Sequence, residues 1–560
     1  MKHRAVKRRS VVLGLGATAG VAAVGGIALN AQASDGTSST SASSSASSAS
    51  GPLVFAPDGY TELTATVTDT DGDEHTVKYH FWKAITYVAN PVDEKYQSLN
   101  VSVPVEIDGT AVDASDAPIL LANTVGGYMP STVTEATGVG ASGAPVGGGM
   151  GGGAGGGTTS ADPAPSASAS ASASPSAPGA NGNTNANGGA LNTNQYLALG
   201  AGYVVIEPGA RGRTLKNSAG EYYGVAPAVI VDLKAAVRYI RANKGRIPGD
   251  TDRIVSAGTS AGGAVSALLG ASGDSPLYDR YLKELGAADA SDAIFATGAW
   301  CPITDLEHAD GAYEWNWGGN ALKTGTQVDQ TVSKALRSQF AEYQAGLKLK
   351  GLNRFGALNA RNYDEYLVKQ YLEPSATAYL TALSDADRAT YLAANTFITW
   401  KNGKATFSWA DFLTHVGARK KTTPAFDAFD LSTGENNLFG KGATITRHFT
   451  AYGLKNDTTG VTAKRLDSDI PEVLRLMNPM HFLTGKPNAG RSKHWWIRLG
   501  TKDSDTSLTV SANLAAAANG LGDDVNHLYY WDEGHGANTD PGDFITWIAK
   551  VTGHKTKVKK

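Results

Sequence analysis

Apolar and polar residues alternate through TVKYHFWKAITYVAN (76–90) and LNVSVPVEI (99–107), segments rich in β-branched and aromatic side chains. A period of two places one set of side chains on a buried face and predicts two strands. APILLANTVGGY (117–128) differs: its short continuous apolar run predicts a buried strand that ends in glycines. GYVVIEPGARG (202–212) repeats that pattern and is closed by Pro-Gly. In APAVIVDLKAAVRYIRAN (226–243) the period changes, and Val229, Leu233, Val237 and Ile240 share one helical face. DRIVSAG (252–258) then returns to strand patterning, and GGAVSALLGAS (262–272) begins a helix.

DAIFATGAWCPI (292–303) predicts a further strand. A long stretch, about 306–480, reads as largely helical and is rich in Tyr and Trp. Strand patterning resumes in KHWWIRLG (493–500) and DVNHLYYW (524–531), and PGDFITWIAKV (541–551) predicts a closing helix. Alternating strands and helices predict an α/β fold with a mostly parallel central sheet and crossover helices. The helical stretch falls between two sheet segments, so it reads as a large cap inserted into the sheet domain.

Composition changes this picture at the ends and in one loop. Residues 34–51 are a Ser/Ala tract, and 138–190 include GGGMGGGAGGG and SASASASASPSAP. Neither holds enough apolar surface to offset the entropy of ordering, so both are expected to be disordered. The first is a linker and the second an insertion in a loop of one domain. MKHRAVKRRS is basic, a Gly/Ala/Val run follows, and Ala31-Gln32-Ala33 closes it. That is the layout of a secretory signal peptide, and Arg8-Arg9 before the apolar run suggests the twin-arginine route. The expected organisation is therefore a signal peptide (1–33), the linker (34–51), a first core part (52–305), the cap (306–480), a second core part (481–553) and a solvated basic tail (554–560).

The 560 residues carry a formal net charge of −3 and a single cysteine, Cys301. Near-neutral charge without a clustered basic face argues against a nucleic-acid partner. One cysteine excludes an internal disulfide, so packing alone must stabilise the fold. Localisation is expected to be extracellular, with no membrane contact after signal cleavage, and the chain is expected to be a monomer.

The candidate chemistry begins at Gly258-Thr259-Ser260-Ala261-Gly262, a G-x-S-x-G sequence between a predicted strand and a predicted helix. In α/β-hydrolases that context holds a nucleophilic serine on a strained turn, and small neighbours let strand and helix approach. A serine hydroxyl needs a base oriented by a third group, and in this fold the order is Ser, acid, His. After KHWWIRLG come Asp503 and Asp505, and after DVNHLYYW comes His535 between two glycines. Ser260, His535 and Asp503, the first acid past its strand, are the candidate triad. The backbone N–H groups of Ala261 and of Gly126-Gly127 are the candidate oxyanion donors. By charge alone, Arg419-Lys420-Lys421 reads as a solvated run.

GTSAGGAVSALLGASGDS, CPITDLEHADGAYEW, KKTTPAFDAFDLSTGENNLFG and GTKDSDTSL resemble the bacterial tannases, gallate-ester hydrolases that are secreted or cell-associated. The resemblance extends from about residue 75 to 550, apart from the 138–190 insertion, which departs from the family pattern. It implies an α/β-hydrolase core with a large cap and a triad on Ser260, Asp503 and His535. It also implies a polar clamp for the galloyl hydroxyls on Lys421, Glu435 and Asp505, and a small phenolic ester as substrate. No metal or cofactor is implied. Fungal tannases and feruloyl esterases pair cysteines beside the triad, which one cysteine cannot do. A feruloyl or general aryl carboxylesterase is the alternative enzyme, and a non-catalytic binding protein on the same fold is the alternative of another class.

Overall fold

Residues 53–141 and 189–558 are described by the computed structural model. The signal segment 1–33, the linker 34–51 and residues 142–188 of the insertion lie outside them. The described chain opens with an antiparallel ribbon of β1 (Thr61–Thr68), β2 (Glu74–Thr86), β3 (Ser98–Ile107) and the short β4 (Thr110–Asp113). Then come β5 (Pro118–Ala122), α1 (Gly189–Gly200), β6 (Val204–Pro208), α2 (Ala228–Ala242), β7 (Asp250–Thr259), α3 (Ala261–Ser272) and β8 (Ala296–Trp300).

The chain next leaves the sheet. This stretch contains α4 (Leu306–Trp317), α5 (Asp385–Ala394), α6 (Trp409–Val416) and α7 (Gly434–Leu438) among other helices. It also holds two small hairpins, Lys350–Gly351 with Gly356–Ala357 and Thr399–Lys401 with Lys404–Thr406. The sheet resumes with β9 (His494–Gly500), α8 (Leu508–Gly520), β10 (Asp524–Tyr530), α9 (Pro541–Thr552) and β11 (Lys557–Val558).

Strand order is β1-β2-β3-β6-β5-β7-β8-β9-β10. From β6 to β10 every neighbouring pair is parallel, and β3 meets β6 antiparallel. The mostly parallel α/β class therefore holds, with an antiparallel ribbon on one edge. β5, β6 and β8 are buried along their whole length, as strands covered on both faces must be. Parallel order also sends the carboxyl ends of β7, β9 and β10 to one rim, where open α/β sheets carry their sites. Helices of the long excursion reach that rim. From α4, Tyr313 donates to the carbonyl of Ser504 at 2.9 Å and Trp317 to that of Thr506 at 3.0 Å.

Two expectations from composition need correction. The described chain continues through residues 138–141 with Val139 buried, its N–H donated to the Tyr79 hydroxyl at 3.2 Å, so the core holds the start of the insertion. The basic tail is not simply solvated. Its Lys557–Val558 pair with Asp113 and Val112 of β4, and His554 is buried. Lys557 also pairs with Asp116, so this lysine anchors the part of the tail that was expected to be solvated. No helix among the described residues is long and apolar enough to cross a membrane.

Candidate active site

Ser260 is the single residue between β7 and α3, with φ +63° and ψ −124°. A side chain at positive φ is strained, and the packing around it holds it there. A Cβ on Gly258 would fall 2.3 Å from the carbonyl oxygen of Gly262. One on Gly262 would fall 2.7 Å from both Asn123 Oδ1 and the Val125 carbonyl oxygen. The glycines flanking Ser260 thus admit the start of α3 on one side and the loop after β5 on the other.

His535 stands in the loop after β10 and Asp503 in the loop after β9. His535 Nε2 lies 2.9 Å from Ser260 Oγ, and Nδ1 lies 2.8 Å from Asp503 Oδ2. Residues far apart in sequence thus form one hydrogen-bonded chain from hydroxyl to carboxylate. Asp503 is buried, and its Oδ1 accepts the backbone N–H of Asp505 at 2.9 Å. Burial of the His535 ring opposes its charged form, but Cys301 and Asp503 outweigh that and hold its pKa well above the ordinary histidine value. Cys301 Sγ is 4.0 Å from Nε2. Ligand atoms of Cys301, Asp503 and His535 lie within 4.8 Å of one another. Since Ser260 and Asp503 engage both ring nitrogens, the arrangement favours proton transfer over metal ligation.

Ala261 opens α3, so its N–H belongs to the first turn, which has no partner within the helix. The Gly126-Gly127 loop is held against the serine turn from several sides. Asn123 Nδ2 donates to the carbonyls of Ala257 at 3.0 Å and Gly262 at 3.2 Å, on either side of Ser260. Tyr128 donates to the Ile303 carbonyl at 2.7 Å, and Arg213 Nε donates to that of Gly127 at 2.9 Å.

The basic run corrects the reading made from charge. Arg419 is fully buried and makes a bidentate pair with buried Glu314 of α4. Its guanidinium also takes up the carbonyls of Lys421 and Thr422, fixing the backbone there. Lys420 Nζ lies 2.7 and 2.9 Å from the two carboxylate oxygens of Asp505. Lys421 Nζ lies 3.6 Å from the centre of the Phe426 ring, and its N–H donates to the Tyr313 hydroxyl at 3.1 Å. Burial alone would raise the pKa of Asp505, but His535, Lys420 and Lys421 together hold it below the usual carboxylate value. Glu435 is in the first turn of α7, close enough to bear on Tyr128 and Arg213.

Of the residues singled out from sequence, Ser260, His535 and Asp503 meet directly, and Lys421 and Asp505 sit within electrostatic reach. Glu435 joins them indirectly, through Tyr128 and Arg213 beside the Gly126-Gly127 loop. Sequence reasoning misses Asn123, Arg213, Cys301 and Lys420 as parts of the site. Asn123 has a usable signal, a polar residue at the end of a buried strand. Cys301 directly follows β8 and Lys420 opens KKTTPAF, but neither their type nor their spacing marks them as partners of the site. Arg213 lies in a loop without a signal.

The BD-FAE family model matches residues 181–344. A tannase from Fusobacterium nucleatum superposes with a TM-score of 0.71 at 33% identity, covering 89% of this chain and 99% of that one. A tannin acyl hydrolase solved in complex with ethyl gallate gives a TM-score of 0.71 at 34% identity, over 89% and 99% of the two chains. Two curated relatives from Mycobacterium tuberculosis match shorter segments. Esterase LipC is 41% identical over 68 residues, 12% of this chain and 17% of its own length. Carboxylesterase NlhH is 33% identical over 112 residues, 19% of this chain and 35% of its own length. The match thus spans well under half of either esterase, whereas the tannases match across nearly their whole length.

Proposed function

The chain belongs to the bacterial tannases, and we propose that it hydrolyses galloyl esters of gallates and hydrolysable tannins through Ser260, His535 and Asp503. The α/β-hydrolase core and the activity of a carboxylic ester hydrolase follow from that membership. The observation that carries the reading is the hydrogen-bonded chain from Ser260 through His535 to Asp503.

His535 Nε2 takes the proton of Ser260 as Oγ attacks the ester carbonyl, and Asp503 steadies the imidazolium that forms. The carbonyl oxygen becomes an oxyanion, met by the N–H groups of Ala261 and of the Gly126-Gly127 loop. When this intermediate collapses, the C–O bond to the alcohol breaks and His535 returns the proton to the departing oxygen. Water, deprotonated by His535, attacks the galloyl-serine ester, releasing gallic acid and restoring the Ser260 hydroxyl.

Lys421, Glu435 and Asp505 read the trihydroxyphenyl ring. Phenolic hydroxyls donate to carboxylates and accept from an ammonium, so a ring without them forgoes those charge-assisted hydrogen bonds. Lys420 belongs to this set because it bonds both oxygens of Asp505. The chain acts outside the cell as a monomer, exported by its twin-arginine-like signal peptide.

Comparing methyl gallate with methyl ferulate tests the reading. The proposal expects rapid hydrolysis of the gallate, loss of activity in Ser260→Ala and selective loss of gallate turnover in Lys421→Ala. Equal rates on both esters would instead favour a general aryl carboxylesterase, the reading to which the two mycobacterial esterases incline.

A further inference from the structure

Arg213 ties together two segments that the proposed reaction uses for different purposes. Its Nε donates to the Gly127 carbonyl at 2.9 Å, and its Nη1 donates to Asn437 Oδ1 at 2.7 Å. Gly127 belongs to the oxyanion loop, and Asn437 lies in α7 two residues beyond Glu435. The backbone N–H of Arg213 also donates to the Tyr128 carbonyl at 2.9 Å, so main chain and side chain hold that loop at successive residues.

The contact with α7 is close. A Cβ on Gly434 would fall 2.9 Å from Arg213 Nη2, so glycine at the first position of α7 lets the helix rest against the guanidinium. Burial opposes the charge on Arg213, and the Glu435 carboxylate compensates for part of that cost. One guanidinium thus spans the group that meets the ester carbonyl and the helix that carries a ring-reading acid. A planar fork can donate in two fixed directions at once, which a lysine ammonium in the same place cannot reproduce.

We propose that Arg213 is a positioning residue that fixes the oxyanion loop and the Glu435 helix relative to each other, so that carbonyl stabilisation and ring recognition are set together. This rests on the galloyl-esterase reading above. Misplacing catalytic donors by about 1 Å costs on the order of a hundredfold in rate, so losing the fork is expected to lower kcat without removing the triad. Since α7 would shift as well, recognition of the ring should weaken in the same variant.

The test uses Arg213→Ala and Arg213→Lys in the full chain, with active sites titrated by a fluorophosphonate and kcat and KM measured per active site. Methyl gallate reads both effects, whereas p-nitrophenyl acetate, which lacks the galloyl ring, reads the oxyanion loop alone. Both variants are expected to lose kcat on both esters, on the order of tenfold or more. KM should rise for methyl gallate only. Free guanidinium should restore part of the kcat of Arg213→Ala. Variants with lower thermal stability but per-site constants within about twofold of wild type would overturn the proposal, because a purely structural arginine would behave that way. Full activity in Arg213→Lys would also overturn it. A wild type without preference for gallate would sink the galloyl reading instead, and the p-nitrophenyl acetate arm would still decide the role of Arg213.

Discussion

Asp503 accepts the backbone N–H of Asp505 at 2.9 Å on one carboxylate oxygen, while the other oxygen faces His535 Nδ1 at 2.8 Å. The carboxylate that holds His535 therefore also fixes the backbone of Asp505, the acid proposed to read the ring. The two aspartates share one short turn after β9 and point their carboxylates at different partners, His535 for Asp503 and Lys420 for Asp505.

Separate substitutions should resolve these roles. Asp503→Asn keeps the shape but presents the wrong hydrogen-bonding group to His535, and kcat is expected to fall by about 10⁴ on every ester, the size of loss the same change causes in a serine protease triad. Asp505→Asn leaves the His535–Ser260 contact in place. Losing a charged hydrogen-bond acceptor is expected to lower kcat/KM on methyl gallate on the order of ten- to a hundredfold, and on p-nitrophenyl acetate only slightly. Steady-state kinetics on the two esters checks both, and equal losses on both esters in Asp505→Asn would remove it from the ring site.

Gly262→Ala should damage catalysis more than its size suggests. The new methyl would press on Asn123 Oδ1 and the Val125 carbonyl, each 2.7 Å away. Asn123 is held by carbonyls on both sides of Ser260, so the Gly126-Gly127 loop must give way. Removing one oxyanion donor typically costs about 10²–10³ in kcat, and a displaced loop is expected to approach that. Per-site kcat after fluorophosphonate titration measures it, and a variant within about twofold of wild type would mean that the loop is not held this way.

The parallel sheet was legible because buried strands and amphipathic α2 alternate with turn residues at regular spacing. The order of Ser260, Asp503 and His535 was legible because each follows a strand, which sends all three to one rim. α8 gave no such signal: LTVSANLAAAANG is buried almost all round, so no stripe marks a face. β1, with its TELTATVT, alternates between threonine and less polar residues too weakly to stand out. The basic run misled for another reason. Charge predicts exposure only when no partner is buried with it, and Glu314, far away in sequence, accompanies Arg419 into the core.

That pair supplies a prediction about stability. Glu314 and Arg419 have fully buried side chains, and Arg419 also binds the carbonyls of Lys421 and Thr422. Glu314→Ala would strand a buried guanidinium, and removing one partner of such a pair typically costs about 3–5 kcal/mol. The backbone beneath Lys420 and Lys421 should loosen as well, raising KM for methyl gallate. Denaturant unfolding and kinetics at a temperature where the variant is folded check the two effects. A change within about 0.5 kcal/mol would show that the pair contributes no more than a typical surface contact.

Asp310 predicts how stability depends on pH. Its carboxylate lies in α4 and accepts the N–H groups of Phe426 at 2.7 Å and Asp427 at 3.1 Å. Burial and the neighbouring Asp427 push its pKa from 3.8 up to about 7. Between those values the folded chain holds a proton that the unfolded chain has released, so the contribution of Asp310 is fully present below the unfolded pKa and is lost as pH rises through about 7. A group that binds its proton tenfold more tightly in the folded chain gains about 1.4 kcal/mol, so the loss here should amount to a few kcal/mol. Asn carries no titrating proton, and Asp310→Asn is expected to flatten that decline whatever its effect on absolute stability. His448 next to Asp427 is also raised and loses its contribution in the same direction, so some slope will remain in the variant. Unfolding free energies of both proteins at about pH 5 and about pH 8 give the comparison. Parallel declines in the two proteins would mean that Asp310 is already ionised in the folded chain across this range.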